Sequence, residues 1–289
     1  MSSYLFMERD FLSQLEAAAP AMSKRHKQLA EYISKNSAAS HMTASALADA
    51  VGISESTVVR FAMAMGYEGY PEMQRAFRES LRARMTTVER IEDTNDRLRE
   101  GDIADAVLRA DSEKILSTLH DLDRGTFERA VDMLLGAKKI YIVGMRSSAM
   151  LAQFMSYYLR LLFDNVFTVC PSGGSEVFEH LINLEAGDVV FAISFPRYSS
   201  GTVRAVEYAK RTGAGVAVLT DRDSSPLAPF ADAVLTAKSE MASFVDSLVA
   251  PMSIINAIIA YIGKKRPEET SARFRHLEEV WNEYRVYLE

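Results

Sequence analysis

Two short stretches place hydroxyl and guanidinium groups where an apolar run gives way to a helical pattern, and such junctions can hold a small anion. The first is GMRSSAMLA (144–152), with Arg146, Ser147 and Ser148. The second is SFPRYSSGT (194–202), with Ser194, Arg197, Ser199, Ser200 and Thr202. At a strand-to-helix junction, backbone N–H groups and the positive end of the helix point at the ligand, and hydroxyls add directional donors without charge. Two such loops at the carboxyl ends of parallel strands can converge on one ligand, and their composition suits a phosphate or a polyol. A serine at a helix start also serves simply as a cap, which explains the first loop equally well. Two arginines beside one anion site would suit a second negative group, because guanidinium clamps phosphate or carboxylate bidentately. The competing expectation is that either arginine turns outward or pairs with an acidic neighbour.

A third pattern is suited to DNA. Residues 43–65, TASALADAVGISESTVVRFAMAM, have the spacing of a helix-turn-helix. Thr43 can cap a first helix bearing Leu47 and the small Ala48, Gly52 sits in the turn, and Ser54 can cap a second helix. In that second helix Val58, Phe61, Ala62 and Met65 fall on one apolar face. Ser54, Glu55, Ser56, Thr57, Val59 and Arg60 are then the residues offered to base edges and phosphates. Any two short amphipathic helices joined by a glycine turn would share part of this pattern. The reading helix carries one Arg, one Glu and no Lys, so phosphate contacts fall to Lys27 or to Lys24, Arg25, Lys35, Arg75, Arg78, Arg82 and Arg84. Each of these taken singly reads as a solvated surface charge.

These stretches need elements to position them. Up to residue 81 the apolar positions repeat at helical spacing. Beyond 138, short apolar runs at 139–143, 166–169, 189–193, 216–219 and 233–235 alternate with helical segments at 149–163, 175–184, 202–211 and a short one at 227–230. Runs apolar on both faces and separated by helices predict a five-stranded parallel sheet covered on both sides. Helices at 106–122, 127–135, 244–262 and 272–287 would complete the layers. The expected organisation is an all-α helix-turn-helix domain over 1–84, a polar linker over 85–105, an α/β domain over 106–265 and a C-terminal helix over 266–289.

Composition narrows the function. The 289 residues carry a net charge of −6, which excludes binding to nucleic acid by bulk positive charge. The acidity belongs to the second part: residues 1–84 hold 10 Lys/Arg against 9 Asp/Glu, and the remainder holds 23 against 30. The single cysteine, Cys170, leaves no intramolecular disulfide and predicts a reducing, cytoplasmic location. The N-terminus lacks the pattern of a signal peptide, and the most apolar run, 248–262, is too short to span a bilayer, so no membrane partner is expected. There is no zinc-ligand spacing, P-loop or dinucleotide fingerprint, and no cofactor or metal is expected. Glu176, Glu179 and His180 could supply the base an isomerase needs, but their i, i+3 and i+4 spacing reads first as surface charge patterning. Met63, Met65 and Met73 read as core filling, and Cys170 as a residue without reactive chemistry.

With SESTVVRF before it, GYEGYPEMQRAFRESL (66–81) resembles the N-terminal helix-turn-helix domain of the RpiR/MurR family of bacterial transcriptional regulators, the likeness running from about 15 to 81. The two serine-rich loops, with TDRDSSPLA (220–228), resemble the sugar isomerase (SIS) fold. In this family that fold is the C-terminal domain and binds a phosphosugar effector. By this resemblance Ser148, Ser194 and Thr202 stand at phosphate-side positions. The chain departs from the family pattern at Arg146, where the first loop usually has Gly. It departs again in the second loop, which is about three residues longer through Pro196, Arg197 and Tyr198, so that either Ser199 or Ser200 can be the second serine. The resemblance implies a regulator of a sugar-catabolism operon, not an enzyme, that binds operator DNA as a homodimer or homotetramer and answers to a phosphosugar; the two arginines sharpen that expectation to a phosphorylated sugar acid. The alternatives are a sugar-phosphate isomerase with an accessory helical domain, and a SIS domain kept only for dimerisation.

Overall fold

In the computed structural model the helical periodicity of the N-terminal segment becomes helices α1 (Phe11–Ala18), α2 (Lys24–Lys35), α3 (Ala44–Val51), α4 (Glu55–Ala64) and α5 (Tyr70–Arg84). The structure describes residues 11–84, 89, 103–171, 176–240 and 246–287. Phe11, Leu15, Leu29, Ile33, Leu47, Val58, Phe61, Met73 and Phe77 form one core among these helices. Burying side chains of this size contributes about 1.5 to 3 kcal/mol each, which fixes the angle between the short α3 and α4. Thr43 caps α3 by accepting from the Ala46 N–H at 3.1 Å. Gly52 ends the helix at φ 74°, a left-handed conformation that a β-carbon would penalise.

The chain divides into two units, residues 1–95 and 96–289. The expected linker lies mostly outside the described residues, and helix α6 (Ile103–Asp121) begins within its last residues. There follow α7 (Arg124–Gly136), β1 (Ile140–Gly144), α8 (Ser148–Leu162), β2 (Val166–Val169), α9 (Glu176–Leu181) and β3 (Val189–Ile193). The unit continues with α10 (Ser200–Thr212), β4 (Gly215–Thr220), β5 (Ala233–Thr236), α11 (Val249–Lys265) and α12 (Pro267–Glu283).

The strands form one parallel sheet in the order β2-β1-β3-β4-β5. Alternation along each strand sorts side chains onto two faces. Ile140, Ile142, Phe191 and Ile193 pack with α7, α8 and α11, whereas Tyr141, Val143, Val190 and Ala192 pack with α9 and α10. Both faces are therefore dry, which is why β1 and β3 are buried at every position. The edge strand β2 leaves Phe167 47% exposed.

Three expectations are corrected. The short helix at 227–230 is a 3-10 turn, Ala228–Phe230, too short to close i→i+4 bonds. The helix expected over 175–184 ends at Leu181, and its first expected residue lies outside the described ones. Met63 is 59% exposed: at about 100° per residue it lies some 200° around α4 from Phe61, on the side away from the core. Met73 is core and Met65 is half-buried.

Candidate functional sites

The second helix of the pair, α4, presents Glu55, Ser56, Arg60 and Met63 to solvent. The Arg60 side chain folds back so that its Nε donates to the Ser56 carbonyl at 3.2 Å. Val59 is half-buried against the domain core. Thr57, expected on the outward face, is 4% exposed. It sits one turn from Phe61 on the core side, and its hydroxyl lies 2.8 Å from that of Ser54. Ser54 occupies the N-cap position without capping α4; its hydroxyl meets Ser56 at 3.0 Å and Thr57 instead of a backbone N–H. Lys27 is exposed on α2, which packs against α4 through His26 and Phe61, ring centroids 5.4 Å apart.

In the second unit the strand order reverses between β1 and β3, because the chain runs out from β1 to β2 and returns to β3 on the other side. Crevices at such switch points, at the carboxyl ends of the strands, bind ligands. The loop after β1 (145–147) and the loop after β3 (194–199) flank that point and touch. The Ser199 hydroxyl lies 3.1 Å from the Met145 sulfur. Gly201, at the start of α10, is packed so closely that a β-carbon would stand 2.6 Å from the same sulfur. The N-termini of α8 and α10 thus converge on one crevice.

Ser148, Ser194 and Thr202 are 5%, 3% and 0% exposed, whereas Arg146, Ser147, Arg197 and Ser200 are exposed and Ser199 half-buried. Capping does not consume these hydroxyls: Ser147 and Ser199 occupy the N-cap positions of α8 and α10, and neither side chain caps. Ser194 Oγ accepts the Ser199 N–H at 3.3 Å, folding the second loop onto its own start. The Thr202 hydroxyl is buried without a hydrogen-bond partner. An orphaned buried hydroxyl costs about 1 to 3 kcal/mol, a cost that a ligand oxygen would relieve.

Arg146 adopts φ 57°. This explains the usual glycine there: the turn into α8 needs a left-handed residue, and Arg carries the strain of a β-carbon.

Sequence reasoning missed a cluster that ties the second loop to the loop after β4. The Tyr198 hydroxyl donates to Asp221 Oδ1 at 2.6 Å, and Arg222 Nε donates to the Tyr198 oxygen at 3.2 Å. Thr220 Oγ1 also donates to Asp221 at 3.3 Å. Burial pushes the Asp221 carboxyl above the usual carboxylate range, and burial with the adjacent Asp221 charge pushes the Tyr198 phenol up. Nothing local in the sequence announces this pairing across 23 positions; the lengthened loop and the polar TDRDSSPLA stretch were its only signals.

The remaining candidates face solvent or serve the fold. Glu176, Glu179 and His180 face solvent on α9, whose Val177 and Leu181 are buried. Cys170 is half-buried, and burial raises its thiol. A cavity of about 340 Å³ beside β5 is lined partly by Asp121, Asp123 and Asp232. Those carboxylates already serve the fold: Asp121 pairs with Lys238, Asp123 caps α7, and Asp232 accepts from Val216 N–H. Among the described residues no group of His, Cys, Asp or Glu could hold a metal, and no helix is long and apolar enough to cross a membrane.

Residues 9–84 match the family model described as a helix-turn-helix domain of the rpiR family, and residues 133–261 match that of the SIS domain. The chain belongs to the RpiR family of helix-turn-helix transcriptional regulators. Among its relatives, the HTH-type transcriptional regulator HexR of Pseudomonas aeruginosa is 25% identical over 284 residues, 94% of this chain and 95% of that one. HexR of Escherichia coli is 28% identical over 235 residues, 78% of this chain and 77% of that one. The sugar isomerase domain of an RpiR transcription factor from Sphaerobacter thermophilus is 29% identical at a TM-score of 0.59, covering 62% of this chain and 99% of that one. Vibrio vulnificus NanR, solved with ManNAc-6P, shares the fold at a TM-score of 0.60 and 22% identity, covering 95% of this chain and 98% of NanR. Within this RpiR-family chain, the helix-turn-helix α3–α4 and the switch-point crevice fall in separate matched segments.

Proposed function

We propose that this regulator controls a sugar-catabolism operon and answers to a phosphosugar held in the switch-point crevice. The observation that carries the reading is the convergence of two hydroxyl-rich helix starts around the buried, partnerless Thr202 hydroxyl. The phosphate lies between the Ser148 loop and the 194–202 loop. There Ser148, Ser194, Thr202 and the nearer of Ser199 and Ser200 donate to its oxygens while the helix ends offset its charge. Arg146 and Arg197, exposed at the rim, meet a second anionic group, which makes a phosphorylated sugar acid the sharper candidate. That NanR was solved with a sugar phosphate supports the ligand class.

The chain acts without catalysis in this reading. Isomerisation needs a carboxylate or imidazole at the substrate carbons, and the loops at 145–147 and 194–199 contain neither; Asp221 is engaged by Tyr198 and Arg222. Operator DNA is bound through Ser56, Glu55, Val59 and Arg60, with Lys27 on phosphate, by a cytoplasmic homodimer or homotetramer that reads two half-sites. The exposed Met150, Tyr157 and Tyr158 on α8 support a face covered by a second copy. Calorimetry with 6-phosphogluconate and gluconate tests the phosphate assignment: tight binding of the first alone is expected, and equal affinities overturn it. Sedimentation showing a stable monomer at micromolar concentration that binds operator one-to-one would overturn the oligomer.

A further inference from the structure

The loop after β3 is longer than the family pattern, and its two ends are anchored differently. Phe195 is 5% exposed in the core shared by α7, α8 and α11, on one face of the sheet. Tyr198 rests against the core of the opposite face. Between them Pro196 and Arg197 are carried outward, with Arg197 exposed. A loop of this kind would be free to sample many conformers, and ordering it on ligand binding would subtract from affinity. One side of it is held by the Ser199 N–H on Ser194 Oγ and by Ser199 against Met145. The other side is held where Tyr198 packs against the sheet and its hydroxyl meets the half-buried Asp221 on the neighbouring strand's loop, with Arg222 closing the cluster.

We propose that Tyr198, through Asp221, is a positioning residue for the effector crevice: it pins the lengthened loop to the end of β4, so that Arg197 and Ser199 stand ready before the ligand arrives. The assignment rests on the effector reading given above. The hydroxyl touches no ligand; it acts through the backbone it fixes. A phenol donating to a half-buried carboxylate is among the stronger neutral-to-charged hydrogen bonds, and releasing it loosens the loop between Phe195 and Ser199. Burial raises both groups' pKa values, so the phenol stays a donor across the neutral range.

The experiment uses the full chain, as wild type, Tyr198→Phe, Asp221→Asn and the double variant. Each is titrated calorimetrically with 6-phosphogluconate and glucose 6-phosphate, melted, and followed by amide hydrogen exchange. Tyr198→Phe should weaken whichever phosphosugar the wild type binds by about tenfold. The double variant should bind no more weakly than the weaker single one, because both changes remove the same link. Exchange at Ser199 should quicken by about tenfold while the amides of β1 and β3 are unaffected. A lowered melting temperature with unchanged affinity would mean a purely structural bond and overturn the proposal, as would strictly additive losses or unchanged exchange at Ser199. A wild-type chain that binds neither sugar overturns the effector reading itself, and the exchange arm still decides whether Tyr198 holds the loop.

Discussion

Replacing Arg146 should separate strain from recognition in one residue. Its φ of 57° places a β-carbon in the left-handed region, at a cost of about 1 to 2 kcal/mol. Glycine removes that cost but adds freedom to the unfolded chain, which returns about 0.5 to 1 kcal/mol. Arg146→Gly should therefore stabilise the second unit by about 0.5 to 1 kcal/mol, raising its melting temperature by roughly 1 to 4 °C for a domain of this size. Arg146→Ala keeps the β-carbon and should leave the melting temperature within about 1 °C of wild type. Both variants lose the guanidinium. Because the side chain is exposed, its ionic contribution is screened, and affinity for 6-phosphogluconate should fall by about fivefold. Glucose 6-phosphate, with no second anion, should lose less. Differential scanning fluorimetry gives the first quantity and calorimetry the second. If Arg146→Gly melts below wild type, the strain argument fails; if both sugars weaken equally in both variants, Arg146 does not read a second charge.

Arg60→Ala should weaken operator binding by about 1 to 3 kcal/mol and relax base preference, whereas Lys27→Ala should weaken all DNA about equally; gel shifts on operator and scrambled duplexes distinguish them. Thr202→Val replaces an orphaned buried hydroxyl with a methyl of similar shape, so the unliganded chain should melt at or slightly above the wild-type temperature while phosphosugar-induced stabilisation is lost. Ser148→Ala should lose the same ligand response, and operator binding that still answers to phosphosugar in either variant would move the phosphate elsewhere. Tyr70, Tyr141 and Tyr198 all have phenols raised above the ordinary value of 10.0, burial being the largest cause in each. With folded values above unfolded ones, the stability they contribute is full below pH 10 and lost above it. Absorbance at 295 nm should show these phenols ionising together with unfolding, and Tyr198→Phe should make the loss of stability above pH 10 shallower.

What the sequence disclosed and what it hid follow from the range over which each feature is determined. Strand β3 falls at the expected 189–193 because a parallel strand buried on both faces must be apolar at nearly every position, a local property. The turn at Gly52 and the cap at Thr43 are equally local. Residue type misleads where one side chain can serve two environments. Thr57 carries both a hydroxyl and a methyl, and the position of Phe61 one turn away decided that it faces inward. Met63 shows the converse: its apolarity suggested the core, and the helical angle put it in solvent beside Arg60. The crevice was legible as two compositions but not as one site, since only the strand order sets β1 beside β3. The Tyr198 to Asp221 bond needs, in addition, that β4 lie next to β3, so it joins residues whose neighbours in the chain say nothing of each other. The serine hydroxyls mark this limit most sharply. Composition allowed helix capping or ligand binding for the first loop, and only the geometry of Ser147, Ser199 and Thr202, with two cap positions unused and one donor orphaned, favours the second.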